Sequence, residues 1–285
     1  MSLLKTVVVA GTALAMSAAC ARAADMPEFL RGSTAPSYTR WEGFYFGVQA
    51  GKTFGSADFG NADNSLVSDI LANTELQGIV SNFTTLPKGS TGSASYGGFV
   101  GYNWQWADVV MGGELNYNHM SIGIGARDSL GPILVPGANL PDGSTVLYSV
   151  TVTSAASVSI HDIVTARARA GWTFDRFMPY GFAGLAVGQA DVSRFATLAG
   201  STKTTTSPGP PPGPPLTGAL ILPRDPQTVA QDGLVVYGFT AGLGIEAELT
   251  HNVFARAEWE FIQFPNVADF RVSTNSARVA LGVKF

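Results

Sequence analysis

From Phe44 onward the chain alternates apolar and polar or small positions with a period of two, and it returns to that period eight times. In the first stretch Phe44, Phe46, Val48 and Ala50 share one face, opposite Tyr45, Gly47, Gln49 and Gly51. Gly98–Gln105, Val109–Asn118, Ala166–Phe174, Gly181–Val187, Phe239–Ala247, Val253–Phe261 and Ser276–Phe285 repeat the rule. A helix would scatter these residues over its whole circumference, so the pattern predicts eight half-buried strands. Ala107-Asp108, Asp175-Arg176 and Thr250-His251-Asn252 read as tight turns. The other connections, at about 52–92, 121–157, 190–233 and 264–271, are longer. Short and long connections alternate, which is the asymmetry of an up-and-down barrel with short periplasmic turns and long extracellular loops. Leu66, Val67, Ile70, Leu71 and Leu76 have near-helical spacing, and a short helix capping the barrel is expected there. Pro208-Gly209-Pro210-Pro211-Pro212-Gly213-Pro214-Pro215 cannot join a ladder and predicts an extended spacer.

Composition decides which face meets what. Charged residues are 13% of the chain against a usual share of about 25%, and glycine reaches 33 residues. Beyond the first twenty residues no apolar run is long enough for a membrane helix, so strands are the way this chain could cross a bilayer. A soluble barrel would expose many lysines, yet there are five: Lys5, Lys52, Lys88, Lys203 and Lys284. The apolar face carries aromatics near its ends, with Phe44, Trp104, Trp172, Phe174 and Phe285 toward one rim and Tyr117, Trp259 and Phe261 toward the other. Two aromatic rims fit the girdles of a membrane barrel. The expected fold is all-β: an eight-stranded antiparallel up-and-down transmembrane barrel over residues 41–285.

Ahead of the barrel, Lys5, the apolar run Thr6–Ala19 and Ala21-Arg22-Ala23 read as a signal peptide over 1–23, cleaved between Ala23 and Ala24. Cys20 leaves with it, and Ser17-Ala18-Ala19 before that cysteine gives no lipidation signal. Residues 24–40, with Pro27 and Pro36, read as a periplasmic lead-in. Cleavage removes Lys5 and Arg22 and no acid, so 15 basic residues face 21 acidic ones, a net charge of −6. That balance excludes a nucleic-acid partner.

Strand parity sends Glu114, Arg167, Arg169, Glu246, Arg256, Glu258, Glu260 and Arg278 to the side opposite the apolar face, into the lumen. Each lies about five to nine residues from its turn or chain end, roughly 12–20 Å up a tilted strand. Four acids and four guanidiniums at one level of a barrel this narrow are expected to interlock as a polar core.

Several segments resemble one family. Trp41-Glu42-Gly43-Phe44-Tyr45, Arg167-Ala168-Arg169-Ala170-Gly171, Pro179-Tyr180-Gly181, Gly244-Ile245-Glu246, Arg256-Ala257-Glu258 and Gly282-Val283-Lys284-Phe285 are similar to the small alphaproteobacterial outer-membrane β-barrel proteins, often labelled porin-family or surface-antigen proteins. Ala23-Ala24-Asp25-Met26-Pro27 resembles their mature start. The resemblance implies outer-membrane lipids and lipopolysaccharide as surroundings, and it implies that Phe285 is read by the barrel-insertion machinery. It does not itself imply an open pore.

No catalytic set, metal site or cofactor is expected. His119 lies near Ser121 at one strand end, but the sequence offers no third group to orient it, and its parity faces lipid. His161 and His251 read as rim and turn residues. The expected function is a structural, surface-exposed barrel with an Arg/Glu-plugged lumen and no enzymatic activity. A small-solute diffusion porin, or a surface haem- or ligand-binding protein using a loop histidine, is the alternative, and the loops name no ligand.

Overall fold

A computed structural model of the chain describes residues 40–60, 62, 64–74, 76–80, 86–139, 144–205, 216–219, 226–268 and 270–285. The expected signal peptide, its Ala23–Ala24 cleavage point, the lead-in up to residue 39 and the proline-rich 208–215 lie outside them. Residues Trp41–Phe285 form one compact unit.

Its strands are β1 (Gly43–Asp58), β2 (Gly89–Trp106), β3 (Val109–Asn139), β4 (Thr145–Trp172), β5 (Phe177–Thr205), β6 (Leu216–Ala219), β7 (Gln227–Thr250), β8 (Val253–Val267) and β9 (Phe270–Lys284). Two short helices, α1 (Asn64–Ile70) and α2 (Gln77–Val80), follow β1. All pairings are antiparallel, and eight strands close a ring in the order β1-β2-β3-β4-β5-β7-β8-β9, with β9 returning to β1. The ninth, β6, pairs only with β5, at Ser201–Thr204, beyond the point where β7 leaves that edge.

Closure fixes the tilt. Following paired residues from Tyr237 through Val187, Val164, Tyr117, Gly98, Val48, Leu281 and Ala255 returns to β7 at Ala247, ten residues from the start. A stagger of ten over eight strands corresponds to a tilt of about 43°, so one residue climbs about 2.4 Å. The three short turns close one end of the ring, and the φ angles of Ala107 (52°) and Asp175 (49°) are left-handed as such tight reversals demand.

Around the lower part of the ring the apolar residues face out. Val48, Leu115, Leu185, Leu243, Val279 and Leu281 are all exposed. Toward the loop end the rule inverts, and Ile122, Ile124, Val150, Val152, Val158 and Ile160 turn inward and are buried. Ser149, Thr151, Thr153 and Ser157 take the outer side. The expected loops at 121–157 and 190–233 are therefore corrected: most of their described residues continue β3, β4, β5 and β7. On β3 the inward parity stays even and the sequence itself changes from polar to apolar there, whereas on β4 the inversion follows from irregular pairing. Met120 and Ser121 of β3 stand opposite the single residue His161 of β4, and His161 is itself surplus against β5. Inward residues of β4 are odd-numbered below this point (Ile163, Thr165, Arg167) and even-numbered above it (Ile160, Val158, Ala156).

Leu66, Val67, Ile70, Leu71, Leu76 and Val80 are buried against Val135, Val150, Val152, Ala196 and Leu198. The helical segment thus covers the inner face of the prolonged β3–β5 sheet, where each strand alone would leave an apolar row in water.

Candidate functional site

The lumen is filled in tiers. Nearest the turns, Trp41, Tyr45, Phe99, Val110, Met178, Tyr180, Phe182 and Phe254 form a buried cluster. Several of these rings lie over glycines of the neighbouring strand. A Cβ on Gly47 would strike the Phe99 ring, one on Gly244 would strike Tyr180, and one on Gly282 would strike Phe254. The glycine-rich polar face thus makes room for rings in a cylinder only wide enough for side chains.

Interleaved with the rings are the eight charges. Glu114, Arg167, Arg169, Glu246, Arg256, Glu258, Glu260 and Arg278 are all buried, their side chains at most 2% exposed. With the stagger taken into account they occupy a tier roughly 12 Å tall, from Glu246 to Glu260. Glu114 accepts from Arg167 Nε (3.0 Å), Arg169 Nη1 (3.3 Å) and Arg256 Nη2 (2.8 Å). Glu246 binds Arg169 and Arg256, both at 2.7 Å. Glu258 accepts from Arg167 (2.8 Å) and from Arg278. Glu260 takes Arg278 Nη1 (2.7 Å), Arg167 Nη1 (3.2 Å) and the Thr240 hydroxyl (2.8 Å). Every carboxylate in the tier meets at least two guanidiniums, and the formal charges cancel.

Sequence parity identified these charges but not what braces them. The Tyr45 hydroxyl donates to Glu114 (2.8 Å), and the Tyr180 hydroxyl donates to Glu258 (2.7 Å). Guanidinium carbons stack on rings, Arg256 on Phe99 (3.9 Å), Arg169 on Tyr180 (4.0 Å) and Arg167 on Phe182 (4.1 Å). The available signal was an aromatic on the polar parity of β1, β2, β5 and β8. Above the charges, Gln49, Asn116 and Asn118 form an amide cluster with bonds of 2.7–3.2 Å, and Thr53 bonds Ser95 and Ser276. Above these lies a second apolar core, including Met120, Ile122, Ile160, Ile262 and Phe264.

On the outer face Trp104, Trp172 and Phe285 are about half exposed or more, at 49%, 50% and 69%, near the turn end, and Phe285 stacks on Phe46 at 5.8 Å. Trp259 is also outward-facing, between Leu243 and Ala277. Its assignment to the opposite rim is corrected: six residues of climb from the start of β8 place it only about 15 Å above Trp104, inside the apolar band. The exposed rings at the band's upper edge are Phe54 and Tyr237, roughly 26 Å up.

At that same edge the structure supplies a group that sequence spacing did not reveal. His119 Nδ1 lies 2.8 Å from Asp162 Oδ1, its register partner on β4, and the Tyr117 hydroxyl donates to the same oxygen at 2.7 Å. The Tyr96 ring packs against His119 with centroids 5.1 Å apart. Next to this pair, His161 Nε2 is 3.4 Å from Asp191 Oδ2. Asp162 follows His119 by 43 residues and is found only through the ladder. His251 is exposed in the β7–β8 turn. Among the described residues, no group of three or more His, Cys, Asp or Glu is arranged to hold a metal ion.

Comparison with known proteins gives the chain its relatives. Residues 11–285 match the family described as outer membrane protein beta-barrel domain. A 22 kDa outer membrane protein of Rhizobium leguminosarum bv. viciae is 23% identical over 258 residues, covering 86% of this chain and 78% of that one. A 25 kDa outer-membrane immunogenic protein of Brucella ovis is 44% identical over 48 residues, a match spanning 17% of this chain and about a fifth (22%) of the relative. Among solved structures, Neisserial surface protein A is 13% identical with a TM-score of 0.37, covering 85% of this chain and 97% of that one. With its ring of eight antiparallel strands, apolar outer band and charge-filled interior, this chain belongs to the outer membrane protein beta-barrel domain family and resides in the bacterial outer membrane.

Proposed function

We propose that the protein is a closed, structural barrel that displays a strand-built platform at the cell surface rather than a conduit for solutes. The observation that carries this reading is the eight-charge tier, in which every carboxylate is paired and every side chain is at most 2% exposed. An open pore needs water beside its charged groups, whereas here aromatic rings, guanidiniums and carboxylates occupy the cross-section. In this reading the short turns face the periplasm, and the prolonged β3–β5 sheet with its helical cover faces outward. Residues 1–23 direct export, the outer band contacts outer-membrane lipids and lipopolysaccharide, and Phe285 serves the barrel-insertion machinery.

Liposomes containing the purified protein and transferred into iso-osmotic solutions of small sugars test the reading. It expects swelling no faster than in protein-free liposomes. Swelling that slows with increasing sugar size would identify a diffusion porin instead.

A further inference from the structure

Beyond a structural role, we propose that the His119–Asp162 pair and Ser121 form a hydrolytic site for acyl esters of outer-leaflet lipids. Three observations converge on it. First, an ionised Asp162 can only accept, so the 2.8 Å contact places the imidazole proton on Nδ1 and leaves Nε2 free as a base. Tyr117 fixes the carboxylate from the other side at 2.7 Å. Second, Ser121 is exposed and shares the outer face of β3 with His119 two residues away. It falls where β3 carries two residues against one on β4 and where pairing to β2 has ended at Met120, so it belongs to neither ladder register. Irregularities of this kind re-aim side chains.

Third, the location selects the substrate. With the stagger taken into account, His119 and Asp162 lie roughly 22–25 Å above the Trp104 and Trp172 level, at the far edge of a hydrocarbon band about 25 Å tall. That edge is where the ester linkages of a lipid lie, between its acyl chains and its head group. A lipid-facing parity, which argues against a site for water-soluble substrates, is the parity such a substrate requires.

In the reaction His119 Nε2 takes the Ser121 Oγ proton while Oγ bonds to the ester carbonyl carbon. The bond from that carbon to the alcohol oxygen then breaks, and the imidazolium returns its proton to the departing alkoxide. Water, deprotonated by the same nitrogen, cleaves the acyl-serine. The sum is ester plus water giving carboxylic acid plus alcohol, with no redox partner. Asp162 acts as a positioning residue through His119.

The test uses the protein purified from outer membranes in detergent, with correct folding read from its heat-dependent gel mobility. Released fatty acids are measured by mass spectrometry from lipopolysaccharide in one arm and from phosphatidylethanolamine vesicles in the other. The proposal expects release in at least one arm, and the arm that reacts names the lipid. Ser121→Ala should abolish release, and Ser129→Ala, an exposed serine farther along the same strand, should not change it. Asp162→Asn should slow release on the order of 10⁴-fold. Asp162→Glu, which returns a carboxylate to the His119 ring, should recover part of that loss, a rescue that a purely structural role would not produce. Should Ser121→Ala not fold, a long-chain fluorophosphonate on the parent must label Ser121 in peptide mapping. No release in either arm, release by folded Ser121→Ala, or labelling elsewhere overturns the proposal.

Discussion

At the residue scale the barrel interior behaves as one electrostatic unit. Arg256 touches Glu114, Glu246 and Glu258, so its removal takes one guanidinium from each of three carboxylates and leaves the tier one positive charge short where water does not reach. Arg256→Ala is expected to lower unfolding free energy by about 3–5 kcal/mol, the cost of breaking a buried pair from one side. Chemical unfolding in detergent, followed by tryptophan fluorescence, measures it, and a midpoint equal to that of the parent would show that the tier carries no stability. Tyr180→Phe keeps the ring over Gly244 and under Arg169 but removes the donor to Glu258. A loss of about 1.5–3 kcal/mol is expected, the range for a hydrogen bond to a charged group. A variant as stable as the parent would mean that the hydroxyl contributes nothing to the tier. The eight charges were legible because strand parity is strict where pairing is regular. Tyr45, Tyr180 and Phe254 were not, because an aromatic on the polar parity looks the same whether it braces an ion network or merely fills space. Asp162 was invisible for a different reason: its closeness to His119 is a cross-strand fact with no trace in sequence distance.

At the scale of elements, the eight strands of the ring and the three tight turns could be read directly, while strand length and the short β6 could not. The period-two signal for β3 and β4 fades after Tyr117 and before Ala166 for two reasons. The apolar face changes from outward to inward, and the surplus residue His161 shifts the parity of β4. What replaces Leu and Trp on the outer side is Ser, Thr and Gly, which by composition alone resembles a loop. The segment between β5 and β7 provides a topology test. Proline-rich residues 208–215 have few amide donors for a ladder, and a sequence of this kind is expected to be cut before paired strands are. Protease added to intact cells is expected to cleave within 206–225 and leave the barrel whole. Cutting confined to the turns at 107, 176 or 251, with that segment protected, would invert the orientation of the protein in the membrane.

At the scale of the whole molecule, a ring of eight strands with a stagger of ten leaves an interior about wide enough for side chains to fill. The sequence fills it with rings, four guanidiniums, four carboxylates and an amide layer. The leader is a separate matter: Ala21-Arg22-Ala23 is expected to give a mature chain beginning at Ala24 without lipid, and amino-terminal sequencing that finds a modified Cys20 would contradict this. The measurement closest to the central claim is a planar-bilayer recording of the unmutated protein at moderate salt. If the eight-charge tier closes the lumen, the current stays at the level of a protein-free bilayer. Steady single-channel steps from the unmutated protein, repeated across insertions, would contradict a closed lumen.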